Sequence, residues 1–154
     1  MKEKALQKFL RYAKIDTRSD DTNLDETPST KKQFDLARLL ADELKAMGAS
    51  GVSIDDHCYV MASIPSNIPP GDTAYGKVPP VGFLAHVDTS PDVSGKDVKP
   101  QIIENYQGGD ITLPGDPDIV IKEDENPGLK VCKGHTIVTS DGTTLLGADD
   151  KAGV

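Results

Sequence analysis

Apolar residues recur at helical spacing in two segments of the amino-terminal third. Between Lys2 and Lys14 this spacing predicts an amphipathic helix, whose apolar face consists of Leu6, Phe9, Leu10 and Ala13. A second helix is predicted to follow Thr30, which can form a capping box with Gln33. Gly48 is expected to end that helix, and the polar stretch 16–28 between the two helices is predicted to be a loop.

The pattern then changes from helical spacing to alternation. Val52–Ile54 and Tyr59–Ile64 predict two antiparallel strands joined by a tight turn, and His57 falls in that turn. We interpret His57 as a surface histidine rather than a metal ligand. The stretch 65–80 is rich in proline and glycine and is predicted to be a connector without regular structure.

The connector leads into the stretch that we expect to organise the fold. Val81–Ala85 is a nearly unbroken apolar run, which predicts a strand buried on both faces of a mixed sheet. His86 and Asp88 follow it at a spacing of two residues, so their side chains point the same way on a strand. At the carboxyl end of a strand, such a pair is typical of a metal ligand and its orienting carboxylate. A strand that simply ends in polar residues remains the alternative.

The second half of the chain contains shorter elements. We predict a strand at 101–106, a glycine turn, a strand at 111–113 and another at 119–121. The segments 136–139 and 143–148 are predicted to form a hairpin around Asp141 and Gly142, and a helix is expected to begin at Asp149 or Asp150. The fold class is therefore predicted to be α/β, with a mixed sheet flanked by helices.

Composition narrows the class of protein. The 154 residues are 27% charged and 36% hydrophobic, with a net charge of -8, as in one globular domain. The acidic balance argues against nucleic-acid binding. The two cysteines, Cys58 and Cys132, are far apart and indicate neither a thiolate metal site nor a disulfide framework. We expect no membrane partner and a cytoplasmic location, because the first residues resemble no signal peptide and no apolar run has the length of a membrane span.

The histidines and acids allow only part of a metal site. His86 together with Asp149 or Asp150 offers nitrogen and oxygen donors suited to a divalent metal such as zinc. A catalytic zinc needs about three protein ligands, and His135, like His57, is interpreted as structural or exposed. Asp149 and Asp150 are equally consistent with a helix N-cap and a first-turn acid.

Three stretches carry a resemblance to a known family. They are 82–92 (GFLAHVDTSPD), 100–106 (PQIIENY) and 143–153 (TTLLGADDKAG), and in their order and spacing the chain resembles the peptidase T family. These tripeptide aminopeptidases belong to the superfamily of di-zinc aminopeptidases, carboxypeptidases and deacylases. The resemblance implies that the complete protein removes the amino-terminal residue from tripeptides by means of zinc-activated water, with two zinc ions in each complete site.

The resemblance also implies roles for individual residues. His86 would bind one metal, Asp88 would assist catalysis by orienting the imidazole, and Asp149 would bridge both metals. Asp149 is chosen over Asp150 by matching the Ala-Asp-x-Lys pattern of relatives to Ala148–Lys151. In the family a glutamate acts as general base.

Other family features have no counterpart in this sequence. The complete enzymes continue with an adjacent glutamate pair, a further aspartate, a late histidine and an inserted lid domain. We therefore expect residues 1–154 to be the amino-terminal portion of a truncated catalytic domain, inactive alone and poor at binding zinc. A related dipeptidase or amino-acyl deacylase, and a non-catalytic α/β interaction module, remain alternative readings. Oligomeric state and substrate side-chain preference are left open.

Overall fold

The computed structural model describes residues 2–154 and has the elements of an α/β protein. The helices are α1 (Lys2–Ala13), α2 (Gln33–Ala46) and α3 (Ala148–Ala152). The strands are β1 (Ser50–Ile54), β2 (Val60–Ser63), β3 (Gln101–Ile103), β4 (Ile111–Leu113), β5 (Asp116–Ile121) and β6 (Ile137–Thr139), and a 3-10 helix spans Pro127–Cys132. The predicted α/β class is confirmed. None of the helices in the described part of the chain has the length and apolar composition needed to cross a membrane.

Helices α1 and α2 pack together around one apolar core. Tyr12, Leu36 and Leu40 are buried in it. Leu36 and Leu40 belong to the face predicted for α2, whereas Tyr12 lies outside the face predicted for α1, of which only Ala13 is fully buried. At the edge of this core, the Glu43 carboxylate accepts a hydrogen bond from the Tyr12 hydroxyl at 2.6 Å and pairs with Lys8 and Arg11. Burial raises the pKa of Glu43, but the hydrogen bonds from Lys8 and Tyr12 outweigh that effect and the pKa is lowered.

The predicted end of α2 agrees with the structure, whereas the predicted capping box at its start does not. Gly48 ends the helix as expected, with a φ of 85° that glycine adopts without strain. The capping box is wrong, because Lys32 occupies the N-cap without a side-chain hydrogen bond. The Thr30 and Lys31 carbonyls already accept the first backbone N–H groups, so the Gln33 amide instead donates to the Thr30 hydroxyl at 3.3 Å.

The strands form three separate antiparallel pairs within the described residues, β1 with β2, β3 with β6, and β4 with β5. The first pair was predicted, whereas the single mixed sheet is not formed. The predicted glycine turn does separate β3 from β4, but each of these strands pairs with a later one. A second core, containing Tyr106, Ile111 and Leu113, packs between the last two pairs.

The predicted buried strand at Val81–Ala85 is wrong. The segment carries no strand, and Val81, Phe83 and Leu84 are 74%, 96% and 98% exposed. A buried strand needs a hydrogen-bonded neighbour on each side, and none of the three described strand pairs takes up this segment as a further strand. The run is therefore apolar, exposed and unpaired.

The predicted hairpin around Asp141 and Gly142 is also wrong beyond its first strand, β6. The Asp141 carboxylate accepts hydrogen bonds from the backbone N–H and hydroxyl of Thr143, at 2.9 and 2.6 Å. These bonds close a local turn that competes with ladder pairing. Gly115 N–H also donates to the Asp141 carbonyl at 2.7 Å, which fixes the turn against the β4–β5 pair.

Candidate metal centre

The candidate site lies where the segment after the apolar run meets helix α3. His86 and Asp88 come from the segment that directly follows Val81–Ala85, and Asp149 and Asp150 occupy the first turn of α3. His86 Nε2 lies 3.6 Å from Asp149 Oδ2 and 3.8 Å from Asp150 Oδ1. The structure thus brings together the residues that the sequence predicted for a metal site.

His86 is held between two kinds of carboxylate. Its Nδ1 lies 3.2 Å from Asp88 Oδ1, and an ionised carboxylate can only accept, so Nδ1 carries the proton and donates. In the neutral imidazole the lone pair is then on Nε2, which faces Asp149 and Asp150. The hydrogen bond to Asp88 raises the pKa of His86 above its ordinary value, and the charges of Asp88 and Asp150 add to it against a smaller effect of burial.

The donor atoms fit a common divalent ion. Ligand atoms of His86, Asp149 and Asp150 lie within 4.8 Å of one another. Two ligands about 2.1 Å from a tetrahedral zinc are about 3.4 Å apart, close to the distances from Nε2 to the two carboxylates. One nitrogen and two oxygens are donors that zinc accepts, so the residues present fit part of a zinc site.

Asp149 and Asp150 are not equivalent. The Asp149 side chain is 98% exposed and the Asp150 side chain 14% exposed. A Cβ placed on Gly147 would lie 3.6 Å from Asp150 Oδ2, so this carboxylate is turned back over the start of its own helix. The Asp149 carboxylate faces outward, on the side from which ions and further ligands have access.

Gly147 allows α3 to approach the histidine segment. It has a φ of 69°, and a Cβ at this position would meet Thr89 Cγ2 at 3.1 Å. At the other end of the helix, a Cβ on Gly153 would lie 3.5 Å from that of Ala85. Both ends of the helix are therefore packed against residues 85–89. This packing holds the helix close to His86.

The other two histidines lie outside the cluster, as interpreted from the sequence. His57 is in the β1–β2 turn, with a side chain that is 65% exposed and an Nδ1 that lies 3.9 Å from Asp55. His135 takes part in the fold through its backbone, because its carbonyl accepts a hydrogen bond from the Tyr106 N–H at 2.9 Å. Cys58 and Cys132 are free thiols.

Sequence reasoning missed three buried polar residues beside the cluster. Thr17, Thr89 and Lys151 are 0%, 0% and 2% exposed. Burial lowers the pKa of Lys151, and the charges of Asp150 and Asp16 oppose this effect. Thr17 lies in a stretch predicted to be a plain loop, and its hydroxyl bonds to a residue 70 positions away, so no local pattern reveals it.

A cleft of about 280 Å³ is lined by Asp20 and Asp21 together with Arg18, Lys32 and Pro91. Among the described residues, the group with three possible metal ligands is the His86 cluster and not this cleft. The Arg18 guanidinium donates to the Pro91 carbonyl, and Lys32 Nζ lies 2.9 Å from the Asp16 carboxylate. Both cations are thus engaged within the protein.

Comparison with known proteins gives long, continuous matches. The chain is 53% identical over 149 residues to "Peptidase T" of Alkaliphilus oremlandii, covering 97% of this chain and 35% of the relative. It is 49% identical to "Peptidase T" of Geobacillus kaustophilus and 51% identical to that of Bacillus pumilus, each over 154 residues, 100% of this chain and 36% of the relative. No family-wide sequence profile matches the chain.

Over nearly its whole length, the chain is similar to relatives named peptidase T. The resemblance drawn from three short stretches is thereby confirmed across nearly every residue. The chain spans about a third of the length of these relatives. His86, Asp88, Asp149 and Asp150 accordingly lie in a segment that is similar to proteins named peptidase T.

Proposed function

We propose that the full-length parent is a zinc-dependent tripeptide aminopeptidase. The full-length parent is a chain of the relatives' full length that contains this segment. It releases the amino-terminal residue from tripeptides and needs no nucleic acid or membrane partner. The observation that carries the proposal is the position of His86, with Asp88 on one ring nitrogen and Asp149 facing the other. This geometry stands in a chain that matches relatives named peptidase T along its whole length. A cytoplasmic location is part of the proposal.

His86, Asp88 and Asp149 take distinct roles in it. Asp88 would hold the proton on Nδ1 and so keep the Nε2 lone pair available to a metal, which would also strengthen the imidazole as a ligand. The exposed Asp149 carboxylate would be shared by the two zinc ions. When bound, zinc activates a water molecule and polarises the peptide carbonyl. Asp150 is assigned to the packing of α3.

The same proposal makes residues 1–154 the amino-terminal portion of the catalytic domain. The remaining ligands, the general base and the lid domain then belong to other parts of the full-length parent. Two observations support this division: the proposal assigns only His86 and Asp149 of the cluster as metal ligands, and the apolar run is exposed. The 154-residue chain alone is accordingly expected to hydrolyse no tripeptide and to bind zinc weakly.

Substrate assays and metal analysis on the full-length parent test the proposal. Tripeptides, dipeptides and acylated amino acids are supplied in parallel, and tripeptides are expected to be cleaved with the highest kcat/KM. His86→Ala is expected to abolish activity and lower bound zinc, whereas His57→Ala, an exposed histidine in a turn, is the matched control. Preference for dipeptides or acylated amino acids would replace the substrate class. Unchanged zinc content and activity in His86→Ala would refute the metal site.

A second comparison separates the two adjacent aspartates. Asp149→Asn is expected to remove zinc and activity together, because it deletes the bridging charge without changing side-chain size. Asp150→Asn is expected to retain zinc. Loss of zinc in Asp150→Asn alone would exchange the two assignments.

A further inference from the structure

The two halves of the candidate site come from segments far apart in the sequence, and one short loop contacts both. We infer that Ile15–Ser19, here called the bridge segment, acts with Lys151 to position His86 and Asp88 against Asp149. Thr17 and Lys151 are the positioning residues, and neither is a ligand in the proposed site. The inference rests on the proposed metal site and adds to it the elements that set its geometry.

The bridge segment is hydrogen-bonded to both residues that flank Asp88. The Thr17 hydroxyl donates to the Val87 carbonyl at 2.6 Å, and the Thr89 N–H donates to the Thr17 carbonyl at 3.1 Å. Ser19 adds two donors to the Thr89 carbonyl, its backbone N–H at 2.9 Å and its hydroxyl at 2.7 Å. Since the peptides on either side of Asp88 are fixed, the direction of its side chain is fixed as well.

Lys151 joins the other half of the site to the same segment. Its ammonium group donates to the Ile15 carbonyl at 2.7 Å, and the residue is 2% exposed. It lies two positions after Asp149 in a helix of five residues. A helix this short has no appreciable stability of its own, so tertiary contacts must hold it in place. Lys151 supplies such a contact on the helix that carries Asp149.

The geometry explains why both anchors matter for metal binding. Ligands of one zinc ion must lie about 3.4 Å apart, and the separation between His86 Nε2 and Asp149 Oδ2 is 3.6 Å. Release of either anchor lets one half of the pair move independently of the other. Groups that orient metal ligands typically change metal affinity by about 10-fold to 100-fold when they are replaced.

The test is to measure cobalt binding to the full-length parent. Calorimetry gives the Co²⁺ affinity, and the visible absorption of bound Co²⁺ reports the geometry of its ligands. Thr17→Val keeps the volume of the side chain and removes the hydroxyl, while Thr17→Ser keeps the hydroxyl. Lys151→Met removes the donor at the other anchor. Thr17→Val and Lys151→Met are expected to weaken Co²⁺ binding about 10-fold or more and to alter the absorption spectrum. Thr17→Ser is expected to restore both.

Ile111→Ala is the control for general destabilisation. Ile111 is buried in the second core and makes no part of the bridge, so its truncation is expected to lower thermal stability without changing Co²⁺ affinity or spectrum. Equal Co²⁺ binding by Thr17→Val, Lys151→Met and the unmodified protein would overturn the inference. So would an equal weakening in Ile111→Ala.

The same experiment separates failure of the inference from failure of the proposed function. If His86→Ala leaves Co²⁺ binding unchanged, the metal site itself is refuted and the inference falls with it. If His86→Ala abolishes binding while Thr17→Val and Lys151→Met bind normally, the metal site stands and only the positioning role is refuted.

Discussion

Truncating Phe83 or Leu84 to alanine is expected to leave the stability of the 154-residue chain unchanged. These side chains are 96% and 98% exposed, so truncation removes almost no buried area, and substitutions of that kind usually change stability by less than about 0.5 kcal/mol. Leu36→Ala is the matched control, because Leu36 is 0% exposed and a buried leucine loses about 2 to 5 kcal/mol on truncation. At this chain length, each kcal/mol shifts Tm by about 2 to 4 °C.

Thermal and urea unfolding followed by circular dichroism measure all three variants. A loss of stability in Leu84→Ala comparable to that in Leu36→Ala would refute the exposed, unpaired state of the segment. In the full-length parent, where we propose that the run lies inside a completed sheet, the same Leu84→Ala change is expected to cost about 2 to 5 kcal/mol. Equal tolerance in both proteins would refute the proposal that other parts of the parent cover this run.

Three further predictions concern hydrogen bonds and charge. Thr17→Val is expected to destabilise the chain by about 1 to 3 kcal/mol, since it leaves the partly buried Val87 carbonyl without this hydrogen bond. Thr89→Val is expected to cost nothing, because the Thr89 hydroxyl is buried without a hydrogen-bond partner among the described residues; equal losses in urea unfolding would contradict this contrast. Asp88→Asn is expected to lower the pKa of His86 measured by NMR, since Asp88 is the main cause of its rise; an unchanged titration would assign that rise to α3. The pKa of Glu43 is lowered by folding, so its contribution to stability is present above its unfolded pKa of about 4.3 and is lost as the pH falls through the folded value. Glu43→Gln is therefore expected to flatten the acid side of the stability profile, and an unaltered acid limb would argue against it.

Elements with a strong local pattern were predictable from the sequence. The faces predicted for α1 and α2 include the buried residues Ala13 and Leu36, and alternation located the β1–β2 pair. In these segments, neighbours in the sequence supply the backbone hydrogen bonds. The pairing of β3 with β6 was not predicted, because strand partners are chosen by contacts between distant segments.

The apolar run at Val81–Ala85 shows the limit of such patterns. Its composition indicates burial on both faces, but burial also needs neighbouring strands, and a pattern cannot show whether they are present. The Asp141–Gly142 pair illustrates a different limit. An Asp-Gly sequence favours a two-residue hairpin, yet the Asp141 side chain can equally close a local turn with Thr143, and the structure adopts that turn.

The parts of the candidate site that lie close together in the sequence were predictable, and the parts that come from distant segments were not. The spacing of His86 and Asp88 predicted that both side chains lie on one side, and their contact at 3.2 Å shows this without a strand. Asp149 required the family motif, since α3 and the histidine segment are joined only by folding. Thr17 had no signal, because its partner is a single backbone carbonyl that any residue would provide. Lys151 ends the family motif, but the motif does not show that its ammonium group is buried against the Ile15 carbonyl.

This dependence on distant contacts bears on how the site keeps its geometry beside an unpaired apolar run. In a completed sheet, ladder hydrogen bonds would fix the end of the strand and therefore the direction of Asp88. In this chain, the hydrogen bonds from Thr17 and Ser19 fix the same peptides, and Lys151 fixes the facing helix. The orientation of His86, Asp88 and Asp149 thus depends on contacts that lie within residues 15–151. We propose that other parts of the parent add further ligands and cover the apolar run. They are not needed to align these three side chains.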